Sequence, residues 1–346
     1  MNGFWDNRME NGRLRVMFVV PGNPDGSGLP IAVHEADWIT KLGVRVYIFY
    51  LRSRTSPAQL IRECFRFRRE VVRVRPHLIH AQFGTATSFF CALCSRLPLV
   101  ITFRGSDLHG DADCFFIRSK MSQLLSQLSC LAASSIICVS SELRDRLWWR
   151  KRRASVLCSG TDLEMFCPQP KDQSRAMLGW ETGVRVVVFA GQGRPKVKGL
   201  RLVEDAVRVA EKLVGAIRLE FLKVPFTLMP CCLNAADCLA LGSVAEGSPN
   251  IVREALACNL PIVATSVGDV PEVLKDVHPS AVVRRDPEEF GFALAQILAQ
   301  NCRSDGRHRG GLKTNSEVAA ATLSRYEAAL KTRRGKQPLQ GACAES

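Results

Sequence analysis

The chain of 346 residues contains no run approaching roughly 18 uninterrupted apolar residues, which excludes a membrane-spanning helix. A secretory-leader pattern is also missing. The first apolar run is short, follows Arg13 and Arg15, and stops at Pro21, so the expected location is the cytoplasm. No second Cys or His pair of metal-ligand spacing follows Cys91-Ala-Leu-Cys94, which argues against zinc, and no metal is expected. The loop at 21–28 is not a Walker or GxGxxG match, and no zinc-finger, RRM or KH pattern accompanies the basic charge, so nucleic acid is not an expected partner. Acidic residues are scarce beside basic ones, 33 against 47, leaving a formal charge of +14. That balance favours anionic partners such as phosphorylated substrates or an anionic membrane surface. Cysteine is not scarce, at 14 residues. The chain is too long for a disulfide scaffold, however, and many cysteines sit in apolar runs. They read as buried thiols in a reducing compartment.

Length and a hydrophobic content of 47% allow two cores. Short apolar runs at 14–20, 44–49, 77–81, 98–102, 135–139 and 154–158 read as buried parallel strands. Between them lie helical stretches. The clearest is 59–75, whose Leu60, Cys64, Phe67, Val71 and Val74 keep the spacing of a core face. A second series follows: strand 184–190, helix 200–213, strand 218–221, helix 228–236 and strand 238–241. This alternation implies an α/β protein of two Rossmann-like parallel-sheet domains facing a cleft. The expected boundaries are 1–165 and 166–330, with a linker at 166–179 interrupted by Pro168 and Pro170. A helix is expected at 317–330 and a solvated or disordered tail at 331–346.

Residues 246–272 read EGSPNIVREALACNLPIVATSVGDVPE. Seven residues separate Glu246 from Glu254, and a loop, a helix start and a strand follow in order. A helix start offers unpaired N–H groups and partial positive charge to a diphosphate. Pro249 and Asn250 suit that start, and Gly247 permits close approach of a ligand. Carboxylates beside such a site are poor phosphate ligands but good acceptors for sugar and ribose hydroxyls. The same residues would also suit a capped core helix with two solvated acids. Farther upstream, strand 184–190 runs into Gly191-Gln192-Gly193-Arg194-Pro195-Lys196-Val197-Lys198-Gly199, whose cations could neutralise a diphosphate.

The 246–272 segment closely resembles the E-x7-E signature of retaining nucleotide-sugar glycosyltransferases of family 4 (group 1), which have the GT-B fold. The resemblance spans about 14–330. It implies a hexosyl transfer from a nucleotide diphosphate sugar to a glycan or lipid-linked acceptor, with no cofactor or metal. It places Glu246 at the donor sugar and Glu254 at the ribose. Arg194 and Lys198 match the family's diphosphate-binding cations, with Lys196 as a competitor. Gly247, Ser248, Asn250, Ile251 and Val252 would line the donor site, with Gly26, Ser27 and Gly28 from the loop after the first strand. His80, Arg104 and Asp107 would lie on the acceptor side. Gln82 and Arg104 stand where the family often has histidine, and the segment from Leu219 to the signature looks shortened. An epimerase or phosphorylase of the same fold, or a non-catalytic partner, are the alternatives. Two basic clusters, Arg62, Arg66, Arg69 and Arg73 on one helix face and Trp148, Trp149, Arg150, Lys151, Arg152 and Arg153, suit an anionic lipid headgroup layer. That makes the expected location peripheral on the inner membrane face, in cell-envelope polysaccharide synthesis. A solvated face with core tryptophans is the other reading of those clusters.

Overall fold

The computed structural model describes residues 13–25, 29–110, 116–191 and 195–334. They form two compact units. The first holds a six-stranded parallel sheet of β1 (Arg15–Pro21), β2 (Arg45–Leu51), β3 (Leu78–Ala81), β4 (Leu99–Phe103), β5 (Ser135–Cys138) and β6 (Ala154–Val156), in the order β2-β1-β3-β4-β5-β6. The second holds β7 (Arg185–Phe189), β8 (Ile217–Phe221), β9 (Cys238–Leu241), β10 (Ile262–Thr265) and β11 (Ala281–Val283), in the order β11-β10-β9-β7-β8. Every strand pair is parallel, as the continuous apolar strands require once helices cover both sheet faces.

In the first unit, alternate strand residues serve two cores. Val16, Phe18, Leu78, Val100 and Ile137 face one side, where α1 (Pro30–Lys41) packs through Ala32, Ala36 and Ile39. Met17, Phe49, Ile79, Ile101 and Phe103 face the other. That side is covered by α2 (Pro57–Val74), α3 (Thr85–Cys94) and α4 (Phe116–Ala132) through Phe67, Phe90, Cys91 and Cys130. The expected core face of α2 is present: Phe67 and Val74 are buried, and Leu60, Cys64 and Val71 pack against them. The helix begins earlier than its periodicity suggests. Pro57 occupies the first turn, where its fixed φ and missing N–H cost nothing, behind Ser56 as N-cap. It ends at Arg75 in the left-handed conformation.

The second unit repeats the plan with α5 (Leu200–Val214), α6 (Met229–Ala235), α7 (Asn250–Ala257) and α8 (Pro287–Gln300). The expected irregular linker at 166–179 contains a helix, Lys171–Leu178, which begins directly after Pro170 and ends at left-handed Gly179. Its Arg175 is buried and bridges to Asp237 at 2.8 Å, tying the helix to the start of β9. Strand β11 and helix α8 complete this unit beyond the elements read from sequence.

The units do not follow the expected division at 165 and 330. Among the described residues, the first takes in those up to Val139, Leu143–Leu157 and those from Ser316; the second takes Ser140–Glu142 and those of Cys158–Asn315. The reason is α9 (Asn315–Arg334), which buries Ala319, Tyr326 and Ala329 in the first unit's core beside Val16 and Phe18. This helix also carries the chain past the expected tail boundary at 331; residues 335–346 lie outside the described residues.

Candidate active site

In the second unit, three loops meet at the carboxyl ends of β7, β9 and β10. The first follows β7 and ends in the helical turn Pro195–Lys198. Arg194, with Gln192 and Gly193, lies outside the described residues. Gly199 is left-handed (φ +75°), and a Cβ there would lie 1.8 Å from the Gly242 carbonyl oxygen. Only glycine permits this approach. It brings Lys198 against the segment leaving β9, where Val244 donates its N–H to the Val197 carbonyl at 2.8 Å. Lys198 Nζ consequently donates to Glu246 Oε1 at 2.6 Å, and Ser243 Oγ donates to the same oxygen at 2.8 Å. The Lys198 and Glu246 side chains are 28% and 14% exposed, so the pair is reachable without being open to bulk water.

The loop after β10 supports the same segment. Gly268 is left-handed (φ +56°), with a Cβ position 2.5 Å from the Gly247 carbonyl oxygen and 3.0 Å from that of Glu246. Beside it, Asp269 and Arg253 form a buried ion pair. Ser248 Oγ donates to Asp269 Oδ2 at 3.0 Å and accepts from Arg253 Nη1 at 2.7 Å. Both bonds of the Ser248 hydroxyl are internal, and it holds the turn. Helix α7 starts at Asn250 with Pro249 as N-cap, as expected for an anion-binding start. Val252 is buried and donates its N–H to the Pro249 carbonyl at 3.1 Å, so of the first-turn groups those of Asn250 and Ile251 remain for a ligand. Asn250 Oδ1 is buried without a partner. Glu254 lies one turn on; burial pushes its carboxyl up to about 7. Among the described residues no cation pairs with it, and such a carboxylate is poised for neutral hydrogen-bond donors such as a ribose diol.

The residues expected on the acceptor side belong to the first unit, and two of the three are interior. His80 is fully buried on β3, with Nδ1 2.7 Å from the Tyr326 hydroxyl and Nε2 2.7 Å from that of Thr102. Burial, and then the Arg104 charge, hold it well below the usual histidine range, so it is neutral at pH 7. Asp107 is also fully buried and accepts the N–H groups of Gly84, Arg104 and Gly105 at 2.8 to 3.1 Å. Burial raises its pKa against those bonds. Both residues order loops, and neither presents a ring nitrogen or carboxylate to a ligand. Arg104 alone stays partly accessible, at 10% side-chain exposure. It bonds Gln82 through that residue's carbonyl and side-chain oxygens, and pairs with Glu35 on α1 at 2.6 Å. The two departures from the family pattern, Gln82 and Arg104, are thus partners of each other. Gly26, Ser27 and Gly28 lie outside the described residues.

The Tyr326–His80 bond also carries a prediction. Tyr326→Phe removes one partner of a buried ring nitrogen and should cost about 1–2 kcal/mol, read as a lower urea midpoint. An unchanged midpoint would show that α9 is held by its apolar contacts alone.

The basic clusters are corrected in part. Arg62 and Arg69 are exposed, but Arg66 stacks its guanidinium 3.9 Å from the Phe49 ring centre and donates to the Tyr50 carbonyl. Arg73 pairs with Glu70 at 2.6 Å. Trp148 is 61% exposed, whereas Arg150 turns inward to the Cys130 and Ala133 carbonyls, and Lys151 pairs with Asp145 at 3.2 Å. Cys94 Sγ lies 3.0 Å from Cys64 Sγ, and among the described residues no three His, Cys, Asp or Glu side chains converge as a metal cluster.

Sequence reasoning missed Ser243, Arg253, Asp269, Glu35 and Tyr326. Arg253 had a signal, being a cation inside an otherwise apolar helical run. Ser243 meets Glu246 three positions on within one loop, whereas Asp269, Glu35 and Tyr326 reach their partners only through long-range packing.

The chain matches two family models, Glycosyltransferase Family 4 over residues 8–165 and Glycosyl transferases group 1 over 184–300. D-inositol 3-phosphate glycosyltransferase of Mycolicibacterium smegmatis is 26% identical over 225 residues, covering 56% of this chain and 51% of that protein. The chain spans about half the length, or less, of the curated relatives it matches. Among solved structures, sucrose-phosphate synthase from Thermosynechococcus elongatus shares the fold at a TM-score of 0.71 and 17% identity, covering 93% of this chain and 98% of that one. An Anabaena protein solved with UDP and glucose does so at 0.65 and 16%, covering 93% and 99%. With its two parallel-sheet α/β units and both halves matched by family models, the chain belongs to the group 1, family 4 glycosyltransferases of the GT-B fold.

Proposed function

We propose that the second unit binds a nucleotide diphosphate sugar and that the protein transfers its hexose to an acceptor hydroxyl with retention at the anomeric carbon. The observation that carries this is the Lys198–Glu246 pair at 2.6 Å, held at the strand ends beside the start of α7. Lys198 would pass from Glu246 to the incoming diphosphate, freeing the carboxylate to accept hydroxyls of the donor sugar. Arg194, adjacent in sequence, would add a second cation. Positive charge at the leaving diphosphate lowers the barrier as that group departs, and these residues can supply it without a divalent metal. Glu254 would take the ribose. The leaving phosphate would receive the acceptor's proton, so no protein general base is assigned.

The acceptor side is assigned to the first unit, where Arg104 with Glu35 is the accessible polar pair. The exposed Arg62, Arg68 and Arg69 of the same unit favour a lipid-linked or otherwise anionic glycan acceptor. The protein would then work peripherally on the cytoplasmic face of a membrane, in cell-envelope polysaccharide or glycolipid synthesis. Among the described residues, no helix is long and apolar enough to cross a membrane.

One observation favours a second reading, a non-catalytic binding subunit. The connection from β8 to β9 contains only a 3-10 turn, Phe226–Leu228, and the seven-residue α6. This is little structure with which to select a nucleobase. Slow donor hydrolysis decides between the two. In proton NMR, an α-linked nucleotide hexose that the protein binds should release the α-hexose first. Release of the β-hexose would overturn retention, and no consumption of any bound nucleotide sugar would favour the binding subunit.

A further inference from the structure

Helix α4 is packed with its apolar side outward. Ile117, Met121, Leu124, Leu128 and Leu131 recur at the i, i+4, i+7, i+11, i+14 spacing that normally marks a core face. Four of the five are exposed, Ile117 at 78% and Met121 at 52%. The inward side instead buries Ser126, Gln127, Ser129 and Cys130. Helix α2 shows the same departure on one flank, where Ile61, Phe65 and Val72 are 60%, 70% and 73% exposed.

The two surfaces belong to one layer. Helices α2, α3 and α4 all bury residues in the same core, against the same sheet face, so their outer sides point the same way. Cys64 on α2 touches Cys94 on α3, and the apolar flank of α2 lies on that side of the helix. Helix α3 packs against both α2 and α4, so the three helices lie side by side. Exposed apolar patches of this extent are uncommon on a monomer and mark interaction surfaces.

The charge around the patch selects the partner. Helix α4 contains no acidic residue and carries Arg118 and Lys120. Both acids of α2 are engaged, Glu63 by Arg66 and Glu70 by Arg73, while Arg62, Arg68 and Arg69 are exposed. A second copy of this chain would bring the same positive face, on a protein of net charge +14, against itself. An anionic bilayer answers both features: its headgroups take the cations and its acyl boundary takes the apolar side chains.

We propose that the outer face of α2 and α4 is a docking surface for an anionic lipid bilayer, into which the apolar stripe of α4 inserts lying flat in the headgroup layer. This names the surface for the membrane contact proposed above, rests on that part of the reading, and is separate from the donor chemistry. The stripe runs about 20 Å at 1.5 Å per residue, too short to span the hydrocarbon but suited to lie along it.

Co-sedimentation of the full chain with phosphatidylcholine vesicles, with and without phosphatidylglycerol, tests it. Wild type should bind the mixed vesicles and retain part of that binding at high salt, because insertion is not screened as charge is. Ile117→Asp with Met121→Asp should lower binding at least tenfold at low salt. Thermal melting should be unchanged, since both side chains face outward. Wild-type binding equalled by this double variant would overturn the proposed surface while leaving the membrane reading intact. No wild-type binding to either vesicle would overturn both. A dimer in sedimentation velocity that the double variant disperses, without vesicle binding, would assign the stripe to self-association instead. None of these outcomes bears on nucleotide binding, which is measured separately.

Discussion

Lys198→Ala should lower turnover by about 10²–10³-fold while changing donor KM far less. The expectation follows from where the charge is needed. Lys198 is held by Gly199, whose backbone meets the Gly242 carbonyl more closely than any side chain would allow, so the cation is delivered to the strand-end loop with little freedom. Its Nζ donates to Glu246 Oε1 at 2.6 Å. A diphosphate gains charge as it leaves, and a cation placed there in advance binds the transition state better than the ground state. Alanine removes that difference. Glu246→Gln should also reduce turnover strongly, because the amide is a weaker acceptor for sugar hydroxyls. Lys198→Arg should recover part of the loss, since the charge returns in a larger, forked group. The Lys198–Glu246 pair is partly exposed, so neither single substitution should shift stability by more than about 1 kcal/mol. Initial rates of nucleotide release measure all three. Turnover by Lys198→Ala within threefold of wild type would remove Lys198 from the chemistry.

Glu254→Gln should weaken nucleotide affinity and stabilise the protein at the same time. Burial raises the Glu254 carboxyl to about 7, above its ordinary range. If ribose hydroxyls bind the ionised form, nucleotide uptake expels a proton, and affinity should fall about tenfold between pH 8 and pH 6. Glutamine should abolish that dependence. The stability effect has the opposite direction. A folded pKa above the unfolded value contributes stability that is present below the ordinary carboxylate range and is lost as pH rises through about 7. At pH 8 wild type therefore carries a buried charge that no cation among the described residues neutralises. The amide should relieve it, raising stability by on the order of 2 kcal/mol at pH 8 and by little near pH 4.5. Denaturation at the two pH values separates this from a packing effect. Equal gains at both would show that ionisation is not the cause.

Much of the second unit was legible because its determinants are local. Strand β9 was read at its observed bounds, since a four-residue apolar run between Asp237 and Gly242 admits little else. The two acids and the helix start between them lie within nine consecutive residues, so their meeting needed no tertiary knowledge. What supports them was not legible. Arg253 and Asp269 are sixteen positions apart and pair only after α7 and the β10 loop fold against each other. The same limit governs the first unit. His80, Arg104 and Asp107 were correctly seen at strand ends, but whether a side chain there turns to a ligand or to the interior depends on Thr102, Glu35 and Tyr326, the last of them 246 positions from His80. Residues 317–330 read as a helix from sequence, but nothing local says which sheet α9 covers. Helix α4 gives the clearest case, because a core-like stripe in sequence faces outward in the structure.

The proposed donor site for a nucleotide diphosphate sugar is built on Lys198, Glu246 and Glu254. Calorimetric titration of UDP, GDP, ADP and their sugar conjugates into wild type and Glu254→Ala, with no metal added, tests it most directly. One nucleotide family should bind wild type, and the substitution should abolish that binding. Folded wild type that binds none of them would contradict it.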